Sequence, residues 1–152
     1  IDMPPGTGDA QLTISQTAPL SGAVIVTTPQ EVSLIDARKG LKMFQNVKVP
    51  ILGIVENMSG FVCGHCQEIT PIFRQGGGQK IADEAQVKLL GSIPLDPKVA
   101  ETSDLGSPMV ISNPDSEVAK RYRQMAREIA AQLSIMSLEN AGQFKPLSME
   151  WQ

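Results

Sequence analysis

Short apolar, β-branched runs alternate along the chain with stretches where apolar residues recur every three or four positions. Ala23-Val24-Ile25-Val26-Thr27 and Pro50-Ile51-Leu52-Gly53-Ile54-Val55 are continuous runs of the kind buried on both faces of a parallel sheet. The second is predicted to end at Glu56-Asn57, and a third strand is predicted over 87–93. Between the first two, residues 31–44 carry Leu34, Ala37, Leu41 and Phe44 at the spacing of one helix face. Ile1-Asp2-Met3 reads as the end of a strand running into a Pro/Gly turn. Asp9 is a candidate N-cap for a helix over 10–16, which Pro19 stops. Further on, Gly76-Gly77-Gly78 is predicted as a turn leading into a helix over 79–85. A short helix near 98–104 and an extended patch at 109–111 follow. The last helix is predicted over 115–133, with Val118, Tyr122, Met125, Ile129 and Leu133 on one face.

Strands alternating with helices imply βα units, and so an α/β fold with a partial, doubly wound, mostly parallel sheet. One domain is expected over 1–134, with a loosely structured tail over 135–152 that shows no period. Residues 59–73 break the rhythm: Phe61, Val62, Ile69, Ile72 and Phe73 flank a short hairpin-like insertion with no helical repeat. In open α/β sheets ligands sit outside the carboxyl ends of the strands. Four polar or turn features fall at such ends here: residues 2–9, 27–29, Asn57 and 94–97.

Composition narrows the function classes. The 152 residues carry a net charge of −3 and only 4% aromatics, with no basic stripe interleaved with aromatics, which speaks against nucleic-acid binding. No apolar run approaches the ~20 residues that span a bilayer, and no secretory signal pattern opens the chain. The start, without an initiator methionine and inside an element, is expected to be that of a fragment or processed product.

The only two cysteines and the only histidine fall in Cys63-Gly64-His65-Cys66, inside the insertion. Two cysteines at this spacing are too few for a disulfide framework and point to a reducing compartment and a metal or redox role. Four readings stand. A redox pair needs the motif at a helix start, and Gln67-Glu68-Ile69-Thr70-Pro71 is a poor helix former. A zinc knuckle needs two further ligands. An inert buried pair is the third. In the fourth, the pair lies on a two-fold axis, so that two chains supply four thiolates to one shared cluster or zinc ion. Elsewhere, Asp2 before a Gly/Pro turn matches either a Mg²⁺-linked carboxylate beside a γ-phosphate or a capped turn. Asn57 matches either an adenine contact or a loop residue.

The motifs Asp2-Met3-Pro4-Pro5-Gly6-Thr7-Gly8-Asp9, Thr27-Thr28-Pro29-Gln30, Gly53-Ile54-Val55-Glu56-Asn57-Met58, Cys63-x-x-Cys66, Gly76-Gly77-Gly78 and Gly91-Ser92-Ile93-Pro94-Leu95-Asp96 occur in this order. The series resembles the Mrp/ApbC family of iron–sulfur cluster carriers, P-loop ATPases related to the MinD/ParA group. It is similar to both the bacterial branch and the mitochondrial branch that serves complex I assembly. The resemblance implies a MinD-like P-loop NTPase fold with a cysteine-bearing hairpin. It implies Asp2 as a Walker B-type carboxylate near Mg²⁺, with Gly6 and Thr7 in the switch that senses the γ-phosphate. Asn57, Pro94, Leu95 and Asp96 would lie on the adenine side. Cys63 and Cys66 would bridge a four-iron, four-sulfur cluster in a homodimer, for delivery to apo iron–sulfur proteins with ATP. A zinc-stabilised dimerisation module is the alternative. Neither nucleic acid nor membrane is an expected partner, and the bacterial cytoplasm or the mitochondrial matrix is the expected compartment. One departure is large: no G-K-[ST] loop occurs in these residues, so they are expected to hydrolyse ATP negligibly by themselves.

Overall fold

Each element of the fold follows from a local feature of the chain. The structure, a computed structural model, describes residues 1–4, 6, 8–66 and 68–141, with 139–141 as backbone alone. Helix α1 (Asp9–Thr17) starts after Gly8, which caps it without a side-chain bond. Asp9 is therefore the first helical residue rather than the cap, its charge set against the positive end of the helix dipole. The chain before it forms no strand, contrary to expectation, because no described strand lies beside Ile1–Pro4 to take its backbone bonds. Pro19 holds Ala18 extended and so closes α1.

The sheet is built on one long strand. β2 (Ile51–Val62) pairs in parallel with β1 (Ala23–Thr27) on one side and β4 (Leu89–Leu95) on the other. β3 (Ile69–Thr70) pairs antiparallel with its far end, Phe61 opposite Thr70 and Val62 opposite Ile69. The sheet is thus mostly parallel, as expected, but β2 does not end at Asn57. It passes through Met58 at φ 54°, slips register against β4 between Asn57 and Phe61, and continues into the hairpin. The side chain of Asn57 accepts the Met58 N–H at 2.9 Å, which satisfies the donor at the kink.

Alternation along β2 buries both faces. Ile54, fully buried, joins Ile25, Leu34, Leu41, Phe44 and Ile81 beneath α2 (Glu31–Asn46) and α3 (Gly77–Ala85). Its neighbour Val55 points the other way and is 4% exposed, on the side covered by α6 (Glu117–Ala141). Cover stops short of β1, where Val26 is 62% exposed and the edge away from β2 pairs with no described strand.

Several boundaries differ from the sequence reading. α3 begins at Gly77, so two of the three glycines are helical: Gly77 packs on the Pro29 backbone and Gly78 on Glu56, too closely for a Cβ. β4 starts at Leu89 and includes Pro94, tolerated because β4 pairs only with β2. α4 (Pro97–Asp104) is capped by Asp96, which accepts the Lys98 N–H at 2.9 Å. Residues 109–111 are not extended but part of a one-turn helix, α5 (Met109–Ser112), seated by buried Met109. α6 starts at Glu117, with the Ser116 hydroxyl accepting the Ala119 N–H at 3.2 Å, and runs on to Ala141. The rest of the expected tail, 142–152, lies outside the described residues.

Candidate functional site

β2 carries the chain out of the sheet and delivers Cys63 at its tip. A tight turn over 64–66 follows, closed where the Cys63 N–H donates to the Glu68 carbonyl at 2.9 Å before β3 returns. The turn folds its own amides back on the first sulfur. The backbone N–H groups of Cys66 and His65, with the Cys66 thiol, hydrogen-bond the Cys63 sulfur and hold its thiol below the usual cysteine range. His65 contributes this amide from an exposed position. Cys63 is half-exposed and Cys66 exposed, which overturns the inert buried pair. No helix starts at the motif either, so the dipole that activates a thioredoxin-type pair is missing.

The arrangement is a clip of two accessible sulfurs on one turn. Among the described residues no group of three or more His, Cys, Asp and Glu side chains is placed to hold a metal. Ile69, opposite Val62 at the base of the turn, and Ile72 and Phe73 further along the chain are exposed apolar side chains. Without metal, Cys63 should alkylate with its half-maximal rate at a lower pH than an unstructured cysteine peptide, because the amide bonds favour the thiolate. Iodoacetamide rates against pH, with peptide mapping, check this; a Cys63 profile matching the peptide's would contradict it.

A second constellation lies at the carboxyl ends of β1 and β2. Asp2, Gly6, Thr28, Asp36 and Asn57 line a cleft of about 640 Å³. Thr7, expected here, lies outside the described residues. The structure thus joins Asp2, Gly6 and Asn57, but Asp96 lines a different cleft, of about 390 Å³, with Phe61, Val62 and Gly64 of the hairpin. Ile93 is the cross-strand partner of Asn57, so Pro94 and Leu95 follow directly beside it, Pro94 buried and Leu95 half-buried. No lysine or arginine is among the described residues lining the larger cleft, whose charged groups are both acids. These residues alone do not fit a nucleotide's phosphates, which need donors and cations.

Two residues of these constellations are given no role by the sequence analysis. Gln11, 5% exposed, reaches from α1 to donate its amide to the Pro4 carbonyl at 3.0 Å and steadies the turn after Asp2. Glu56, 4% exposed, accepts the Gly78 N–H at 2.6 Å. A polar residue inside an apolar run was the sole clue to Glu56. Gln11 had none, since α1 has no strong apolar face.

A mostly parallel sheet, helix-covered where it is central, with turn chemistry at its strand ends and a cysteine clip on its longest strand, defines an α/β protein of the P-loop NTPase kind. Solved structures agree: a nucleotide-binding protein from Archaeoglobus fulgidus, in complex with ADP, superimposes with a TM-score of 0.63 at 44% identity, over 70% of this chain and 44% of that one. The cell division ATPase MinD of Pyrococcus furiosus gives 0.56 at 30% identity, over 73% and 43%. The family model described as "ParA: NUBPL iron-transfer P-loop NTPase" matches residues 1–130, and the chain belongs to that family. Among curated relatives, the iron–sulfur cluster carrier protein of Escherichia coli is 54% identical over 133 residues, 88% of this chain and 36% of its own length. The iron–sulfur cluster transfer protein NUBPL of mouse is 50% identical over 133 residues, 88% of this chain and 42% of its own. The chain therefore spans well under half the length of these relatives.

Proposed function

We propose that this chain is the cluster-binding portion of an iron–sulfur cluster carrier. Two copies meet at their hairpins, and Cys63 and Cys66 of each hold one four-iron, four-sulfur cluster as cargo for apo-proteins. The observation that carries the reading is the clip itself: two accessible sulfurs, one already receiving two backbone N–H bonds, with no third His, Cys, Asp or Glu placed to share a metal with them among the described residues. Four cysteine thiolates complete such a cluster, and a two-fold axis through the clip supplies them. The exposed Ile69, Ile72 and Phe73 give the two hairpins apolar surface to bury. The carrier and transfer names of relatives at 50–54% identity support the same cargo.

In the longer relatives the larger cleft would be completed by a phosphate-binding loop. Asp2 would then stand near Mg²⁺, Gly6 and Thr7 near the γ-phosphate, and Asn57 with Pro94 and Leu95 near the adenine. Asp96 shapes that side indirectly, through its cap on α4. Named relatives come from bacteria and, in Arabidopsis thaliana, from a protein described as mitochondrial, so the bacterial cytoplasm or the mitochondrial matrix is the proposed compartment. Among the described residues no helix is long and apolar enough to cross a membrane.

Anaerobic iron and sulfide reconstitution, followed by sizing with absorbance across the peak, tests the reading. Cluster absorbance on a dimer peak, with about four irons per two chains, is expected. A colourless dimer holding one zinc per two chains sinks it in favour of the zinc module. The same preparation should show no ATP hydrolysis above background in a phosphate-release assay; clear turnover would contradict the assignment of the phosphate site to absent residues.

A further inference from the structure

The segment that carries the cysteines leaves the β1-paired stretch of β2 at Glu56 and re-enters the body in α3 at Gly78, and these two residues are hydrogen-bonded. Glu56 lies at the carboxyl end of the stretch of β2 that pairs with β1, opposite Thr27 and seven residues before Cys63. Its side chain is buried, and its Oε2 accepts the Gly78 N–H at 2.6 Å. α3 has no capping side chain of its own, since Gly76 precedes it in a left-handed conformation at φ 74°. The cap is supplied from β2 instead. The fit is tight: a Cβ on Gly78 would lie 2.7 Å from the Glu56 Cβ, and one on Gly77 2.9 Å from the Pro29 Cα. α3 is in turn fastened to α2 by Arg38, which donates to both carboxyl oxygens of Glu84 at 2.8 and 3.0 Å.

Beyond this base the hairpin pairs with β4 where Phe61 faces Leu95, β3 contributes two residues, both exposed, and the Cys63 N–H donates to the Glu68 carbonyl. We propose that Glu56 is a positioning residue for the cysteine clip: by pinning the return of the excursion to its departure, it fixes how the two sulfurs are presented. The inference rests on Cys63 and Cys66 being the metal-binding pair. By reciprocity, metal bound at the clip must strengthen the Glu56–Gly78 contact as much as the contact favours metal.

The test uses Co²⁺ alone, titrated anaerobically into the full chain and read by thiolate-to-cobalt charge-transfer absorbance. Glu56→Ala should weaken Co²⁺ binding by about tenfold or more, as loss of a residue supporting metal ligands does elsewhere. Glu56→Gln keeps an oxygen for the Gly78 N–H and should restore wild-type affinity. Leu41→Ala, a core change far from the hairpin in sequence, serves as the control matched for lost thermal stability and should bind Co²⁺ as wild type does. Wild-type affinity in Glu56→Ala, or equal weakening in Leu41→Ala, overturns the proposal. Wild type without charge-transfer bands overturns the metal-site reading as well. Should Glu56→Ala fail to fold, hydrogen exchange on wild type decides: Co²⁺ must slow exchange at the Gly78 amide together with that of Cys63. Protection at Cys63 without change at Gly78 overturns it.

Discussion

Replacing Cys63 and Cys66 together by alanine is expected to leave a folded protein that emerges colourless from anaerobic reconstitution, with less than a tenth of the wild-type iron. The size of the effect follows from ligand count. Two cysteines per chain are all the thiolates the sequence offers, so the double change removes every one from a bridged cluster. The cost to the fold should be small. Cys66 is exposed and Cys63 half-exposed, neither belongs to the buried core, and changes at such positions stay within about 0.5 kcal/mol. What is lost locally is the acceptor for the amides of His65 and Cys66, which solvent can replace at an exposed turn tip where a Cβ added at Gly64 would meet nothing within 4 Å. Iron and sulfide analysis alongside a thermal melt separates the two effects. Iron retained by the double variant would remove the cysteines from the site.

The parts of this molecule legible in its sequence are those fixed by local chemistry. β1 was readable to the residue because a short β-branched run bounded by Gly22 and Thr28-Pro29 has one sensible conformation. The α2 face was readable because Leu34, Ala37, Leu41 and Phe44 are all buried where the period places them. The cysteine pair was legible because spacing alone brings two sulfurs to one turn. The misplaced features depend on contacts between distant segments. β2 outran its expected end because past the kink at Met58 it exchanges β1 for β3 on one side while β4 still pairs at Phe61 on the other, and no residue type announces that. Gly77 and Gly78 read as a turn by composition, yet they are helical because Pro29 and Glu56 approach too closely for any side chain. Asp96 also caps α4, a task that the sequence analysis did not draw from Asp96-Pro97.

Gly53→Ala is expected to be the most damaging single-methyl change in the chain, costing about 3 kcal/mol or more, a large part of the ~5–15 kcal/mol that holds a domain of this size together. Gly53 sits in the central strand at φ 154°, a conformation side chains avoid. A Cβ there would lie 2.5 Å from the Lys88 carbonyl oxygen and 2.6 Å from the Leu90 Cγ. A flexible side chain can swing aside, but that carbonyl cannot: it accepts the Ile54 N–H at 2.9 Å and ties the start of β4 to β2. Relieving the contact means breaking the pairing that seats Ile54, the most buried residue of the sheet, in the core. Gly40→Ala makes the opposite case from the same chemistry. Gly40 lies inside α2, its added Cβ would meet only the Ile25 Cδ1 at 3.9 Å, and alanine is the better helix former by about 1 kcal/mol. The two variants should therefore melt on opposite sides of wild type, Gly53→Ala lower by well over 5 °C and Gly40→Ala higher by a few degrees, roughly as such energies translate for a domain of this length. Equal midpoints for wild type and Gly53→Ala would mean that β2 and β4 do not pair in the register described, and with it the path that carries the chain from the sheet to the cysteines.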